Sequence, residues 1–391
     1  MNQDVSRTHD HVFHRNRGCG QPVEEPEGLR FLSRVSIDSE HGQRSLRDAF
    51  DVASEQIAAL AIDERFVGVP MRQALFIDTE TTGLGRGDDT IPFLVGLGRM
   101  QHKEFLVEQW MMREDDAERA MLCWFSERLR DASAIVSFNG KSFDWPLLRA
   151  RCLRHRVPIN ATLPHLDLLH VSRRIFRERL RSMRLSELEA SVLGVRRFHD
   201  VSGAEIPERY LDFLDDGDLV PMLDVVEHNR LDLLALPALL GRMAVDYNRP
   251  TTQCDDFLMH SAESLGYARV AERNGDSVRM VAFCDSAEQG PEDRSAAQAA
   301  WMKAKHHRRE GDLIREEEAL IVALRRSDDD VMLAHTRLQL SKFYEHRKKD
   351  FDSALLHAAH TSDAEGEDAS LRRVERLKKR LERMGNTNGA K

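Results

Sequence analysis

The stretch Ala74-Leu-Phe-Ile-Asp-Thr-Glu-Thr-Thr-Gly-Leu84 constrains the fold of this chain more than any other. An apolar run, Ala74 to Ile77, leads straight into Asp78; Glu80 follows two places on, and Gly83 closes the segment. A short apolar run ended by a turn signal reads as a buried strand. Strand side chains alternate between faces, so Asp78 and Glu80 point to the same side. Two neighbouring carboxylates repel each other and make poor core material. A hard divalent cation between them relieves that repulsion, because magnesium and manganese take oxygen ligands. A strand ending in a solvated polar turn looks the same, so the metal reading needs more carboxylates that converge on this strand end.

The surrounding pattern indicates an α/β region followed by an all-helical one. Residues 29–37 alternate loosely as an extra strand, and 45–62 have helical spacing. Turn-rich residues 85–90 separate the central strand from Ile91–Leu97 and Phe105–Trp110, two further strands of an antiparallel meander. A helix over 115–131, a strand over 134–138 and a helix over 143–155 follow, which makes a mixed sheet flanked by helices. From Leu166 to Asn248 the pattern is almost all helix, and Pro237 should kink or interrupt its last member. The expected organisation is a disordered tail over 1–28, an α/β domain over 29–248, a linker or helical connection over 249–295 and a helical region over 296–391. In that last region Ala319, Leu320 and Ala323 recur as Ala354, Leu355 and Ala358, an offset of 354 − 319 = 35. The offset is near the ~34 residues of a tetratricopeptide helix pair.

Further candidates complete the acidic set. Asp144 follows the fourth strand, where strand ends gather at one edge; a helix N-terminal acid is the alternative. His228 and Asp232 lie four apart on a helix that is largely apolar, so a charged pair there needs a partner. Asp78, Glu80, Asp144 and Asp232 together offer what a pair of divalent cations needs to clamp a phosphodiester, and His228 suits proton transfer from water. Asn139 and Lys141 sit in a turn from which they could reach a substrate phosphate, although Asn-Gly is also ordinary turn chemistry. The backbone of Thr81 and Thr82 follows Glu80 and could lie beside a bound substrate. Asp167 reads as a helix cap, with an acid that supports the site from behind as the alternative. Arg173, Arg174 and Arg177 belong to an arginine-rich run over 173–184 suited to a phosphate backbone, with Arg149, Arg151, Arg154 and Arg156 as a possible extension; a solvated helix face is the alternative.

These phrases resemble the DEDD group of ribonuclease H-like 3′–5′ exonucleases. Asp78-Thr-Glu80 matches the first motif, Asn139 through Asp144 the second and His228-Asn-Arg-Leu-Asp232 the third. The closer likeness is to the YprB-like branch, which joins such a nuclease to tetratricopeptide-like helices. The resemblance implies two magnesium or manganese ions held by Asp78, Glu80, Asp144 and Asp232, with His228 placed to activate water. One departure stands out: the residue is histidine, but its four-residue spacing to Asp232 is that of the tyrosine-bearing group, so His228 either deprotonates the water or only orients it.

The reading is thus a metal-dependent 3′–5′ exonuclease on single-stranded DNA or RNA, with the C-terminal helices open to a protein partner. Its rivals are a structure-selective endonuclease on the same fold, a non-catalytic tetratricopeptide-like adaptor, and a phosphatase with an aspartyl nucleophile at Asp78. The net charge of −9 gives no global attraction to nucleic acid, so any basic surface must be local. Five scattered cysteines without a C-x-x-C pair speak against disulfides and zinc and for a reducing cytoplasm. No apolar run approaches the ~18–20 residues of a membrane span, and no secretory leader is expected.

Overall fold

The structure is a computed structural model that describes Gly18 and residues 20–25, 27–83, 90–114, 117–198, 200–249 and 259–388. His9, His11 and His14 and the turn at 85–89 lie outside these residues. The described parts of Met1–Arg173 and Ser182–Arg249 form one compact unit, and those of Arg174–Arg181 and Pro250–Lys391 form another.

The first unit is built on a mixed sheet. Its strands are β1 (Val23–Glu25), β2 (Gly28–Ser36), β5 (Leu75–Thr81), β6 (Pro92–Gln101), β7 (Glu104–Met112), β8 (Ile135–Ser137) and β9 (His165–Asp167); β3 (Glu40–His41) and β4 (Arg44–Ser45) form a separate small hairpin. The spatial order is β1-β2-β7-β6-β5-β8-β9. β5, β6 and β7 pair antiparallel as a meander, while β8 and β9 run parallel to β5. β9 departs from the expected helix starting at Leu166: three residues are too few to show a period of two.

The longer helices of this unit are α1 (Ser54–Ala61), α2 (Glu118–Arg130), α3 (Asp144–Arg154), α4 (Leu168–Phe176, whose last three residues belong to the second unit), α5 (Ile206–Asp216) and α6 (Val220–Asn248). Leu75, Phe76 and Ile77 are all buried because β5 is covered on both faces. Leu75 and Ile77 join the core with Trp124 and Leu148 of α2 and α3, whereas Phe76 meets Phe50 and Phe105 edge-on at ring separations of 5.8 and 5.5 Å. The helix α6 runs through Pro237 without a break, contrary to the expected interruption. Proline forfeits one backbone bond there, but residues 233–244 are all buried, so packing holds the helix together.

The second unit is all helix among its described residues: α7 (Ser261–Arg273), α8 (Ser277–Gln289), α9 (Asp293–Glu310), α10 (Leu313–Arg326), α11 (Asp330–Phe343), α12 (Phe351–Ala358) and α13 (Glu367–Asn388), with one further turn at Ser362–Glu365. The repeated Ala-Leu-Ala positions fall on α10 and α12, with Ala319, Leu320, Ala323, Ala354 and Ala358 buried. Small residues at these places let helices approach closely. Glu316 and Glu345 are fully buried and gather arginines, Arg308 and Arg347 on the first, Arg373 and Arg376 on the second.

Candidate active site: an acidic recess at the end of β5

Three elements bring the acidic residues together. β5 delivers Asp78 and Glu80, the start of α3 delivers Asp144, and the middle of α6 delivers His228 and Asp232. Each of the four carboxylates is partly exposed yet crowded by protein and by the others. Burial first, then the charges of Asp232, Glu80 and Asp144, push Asp78 well above the usual carboxylate range. Burial likewise raises Glu80 to about 8, against the pull of His228, and Asp144 to about 6. Asp232 is raised by burial too, although Arg197 and His228 oppose this.

Backbone devices fix the recess. Gly96 lies opposite Asp78 in the β5–β6 register, and a Cβ there would stand 2.1 Å from Asn229 Oδ1. That gap lets Asn229 of α6 approach the sheet and donate its amide to Asp78 Oδ2 at 2.7 Å. Gln109 of β7 donates to Asn229 Oδ1 at 2.8 Å, which dictates that the NH2 end faces Asp78. On the other side, Asp167 accepts the backbone N–H groups of Asn139 (2.8 Å), Lys141 (3.0 Å) and Leu169 (3.0 Å). It therefore caps α4 and shapes the turn into α3, in which Asn139 takes a left-handed φ of 66° that asparagine tolerates. Thr79 then donates to Asp144 Oδ1.

His228 and Asp232 belong to a ring of alternating charge that the sequence does not foretell. Two members, Arg197 and Asp200, come from the loop between Gly194 and α5. Arg197 Nη2 lies 2.5 Å from Asp232 Oδ1, and His228 Nε2 lies 3.7 Å from Asp232 Oδ2. His228 Nδ1 meets Asp200 Oδ1 at 2.7 Å, and Arg197 Nη1 donates to Asp200 Oδ2 at 3.2 Å. Burial opposes a charge on His228, but Asp200, Asp232 and Glu80 outweigh it and raise its pKa to about 9. Nothing in periodicity marks this loop; Arg197 and Asp200 acquire their places from tertiary packing alone.

The remaining candidates stand differently. Thr81 Oγ1 donates to the Gly83 carbonyl, and Thr82 Oγ1 accepts from the Ile91 N–H, so both hydroxyls serve the turn after β5. Arg173 falls in the first unit, Arg174 and Arg177 in the second. Arg173 and Arg177 are exposed. Arg179, from the same run, is paired with buried Glu263. Arg151 is not part of a phosphate strip: it is buried against Glu118.

As they stand, no three His, Cys, Asp or Glu side chains among the described residues converge closely enough to hold an ion. The reason is visible in the contacts: Asp78 is turned to Asn229, Asp144 to Thr79 and Asp232 to Arg197. The donor set nevertheless fits a hard divalent cation, because four oxygen donors share a recess that resists their collective charge.

Residues 75–244 match the family model described as the RNase_H superfamily. The fold is ribonuclease H-like. A curated relative, described as uncharacterized protein YprB of Bacillus subtilis (strain 168), is 28% identical over 325 residues, which cover 81% of this chain and 75% of the relative. A ribonuclease H-like domain points to a nuclease that binds nucleic acid and uses divalent metal. Among the described residues no helix is long and apolar enough to cross a membrane.

Proposed function

We propose that the chain is a metal-dependent 3′–5′ exonuclease acting on single-stranded DNA or RNA. The observation that supports this reading most is the gathering of Asp78, Glu80, Asp144 and Asp232, from three separate elements, into one recess beside His228. Structural carboxylates are ordinarily paired or solvated, whereas these raise one another's pKa. Asp78, Glu80, Asp144 and Asp232 are the residues that would hold two Mg2+ or Mn2+ ions. Such ions, when bound, stabilise the attacking and leaving oxygens of an in-line displacement.

The chain's own groups do the rest. Asn229, held by Gln109, fixes the rotamer of Asp78. Asp200 holds the proton of His228 at Nδ1, so the neutral ring presents Nε2 as its acceptor toward the recess. With both nitrogens protonated His228 donates only, so it serves as a base in its neutral form and orients water otherwise. Asn139, Lys141 and the backbone at Thr81 and Thr82 line the approach to a terminal nucleotide, and Arg173, Arg174 and Arg177 supply phosphate contacts. The nuclease domain spans residues 29–248, and tetratricopeptide-like helices over 296–391 offer a protein partner a surface.

The test is a time course on end-labelled single- and double-stranded DNA and RNA with Mg2+, Mn2+ or chelator. Stepwise mononucleotide release from the 3′ end, abolished by chelator and by Asp78→Ala or Asp232→Ala, is expected. Early internal fragments would favour an endonuclease, and near-wild-type turnover of either variant in Mn2+ would overturn the site.

A further inference from the structure

Arg197 occupies the position of a cation in an acidic recess. Its side chain is only 7% exposed, and its Nη2 lies 2.5 Å from Asp232 Oδ1 and 2.7 Å from Glu189 Oε2. One nitrogen, Nη2, thus bridges both carboxylates, and neither is gripped by the two-pronged fork that makes arginine–carboxylate pairs strong. Its Nη1 bonds Asp200, in its own loop. That loop rests on the recess through Arg197 and Asp200, while the side chain of Phe198 between them is 84% exposed. A buried arginine that covers an oxygen of a candidate ligand must leave before an ion can take that oxygen.

We propose that Arg197 is the resident counter-cation of the recess, and that a divalent ion binds by displacing its guanidinium from Asp232. The proposal deepens the metal-dependent reading above and rests on it. Without Arg197, Asp232 would face Asp78 and Glu80 with His228 alone to offset them, at the cost of burying like charges together. With Arg197 in place the metal-free fold tolerates them, and the entering ion must compete with it. Arg197 is in this sense a positioning residue: it acts on the site through Asp232.

Calorimetric titration of the full chain with Mn2+ at fixed pH tests the exchange. Arg197→Gln removes the competitor and keeps a polar side chain, so it should bind Mn2+ about tenfold tighter than wild type, a factor worth ~1.4 kcal/mol. Should Arg197→Gln fail to fold by circular dichroism, Arg197→Lys decides. It keeps a charge on a shorter side chain that reaches Asp232 less closely, so it should bind Mn2+ more tightly than wild type by a smaller factor. Equal or weaker binding by the folded variant, with wild type binding normally, would overturn the exchange and make Arg197 an ordinary structural ion pair. If wild type itself bound no Mn2+, the metal-dependent reading would fail first and take this proposal with it.

Discussion

Gly96 carries as much of the recess as any charged residue. It permits the Gln109–Asn229–Asp78 chain because Asn229 Oδ1 fills the volume of its missing Cβ. Gly96→Ala should push Asn229 off Asp78 and cost roughly 1–3 kcal/mol of stability by overpacking. Denaturant midpoints measure that loss, and an unchanged midpoint would mean that α6 can shift to absorb a methyl group. The raised groups of the recess tie stability to pH, and three of them show the range. Folding raises Asp144 from 3.8 to about 6, Glu80 from 4.5 to about 8 and His228 from 6.5 to about 9. All three bind protons more tightly folded than unfolded, so metal-free stability is full near pH 4 and falls as pH rises toward 9. A divalent ion replaces those protons, so Mg2+ should raise the melting temperature more at pH 8 than at pH 5. Equal shifts at the two pH values would contradict this. His228→Ala should reduce turnover less than Asp78→Ala if the ring only orients water, and equally if it is the base; the comparison of turnover numbers separates the two.

At the level of elements, the arginine-rich run shows both the use and the limit of reading a sequence. Arg173 and Arg177 are exposed, whereas Arg179 is paired with buried Glu263 and Arg151 is buried against Glu118. A charge run in sequence does not reveal which members find acidic partners from distant segments. Replacing Arg173, Arg174 and Arg177 by Gln should weaken single-strand binding and flatten the dependence of log affinity on log salt by up to about 2 units. A slope that does not change would remove these residues from the interface. The strands around Asp78 were legible because apolar runs bounded by turns have no other economical fold, and the meander followed from their short connections. β9 was too short to register, and Pro237 misled because local propensity gives way to burial along α6. The acidic residues themselves were legible as carboxylates in apolar contexts. Arg197, Asp200, Asn229 and Gln109 were not, since each is defined by a partner between 28 and 151 residues away or by a ring that only the folded chain closes.

For the molecule as a whole, two compact units divide the work: a ribonuclease H-like domain with an acidic recess, and a set of helices whose buried alanines recur in register. The first unit gains nothing for its own stability from crowding four carboxylates at one strand end, since a fold without a ligand there would do better with neutral side chains. The bound ions we propose would be the physical reason to retain them. The most direct measurement is the number of Mn2+ ions bound per chain, counted by electron paramagnetic resonance from the free-ion signal as protein is added. Two ions per wild-type chain, with binding lost in Asp78→Asn and in Asp232→Asn while both variants stay folded, is the predicted result. Wild-type binding that survives both substitutions, or no binding at millimolar Mn2+, would contradict it.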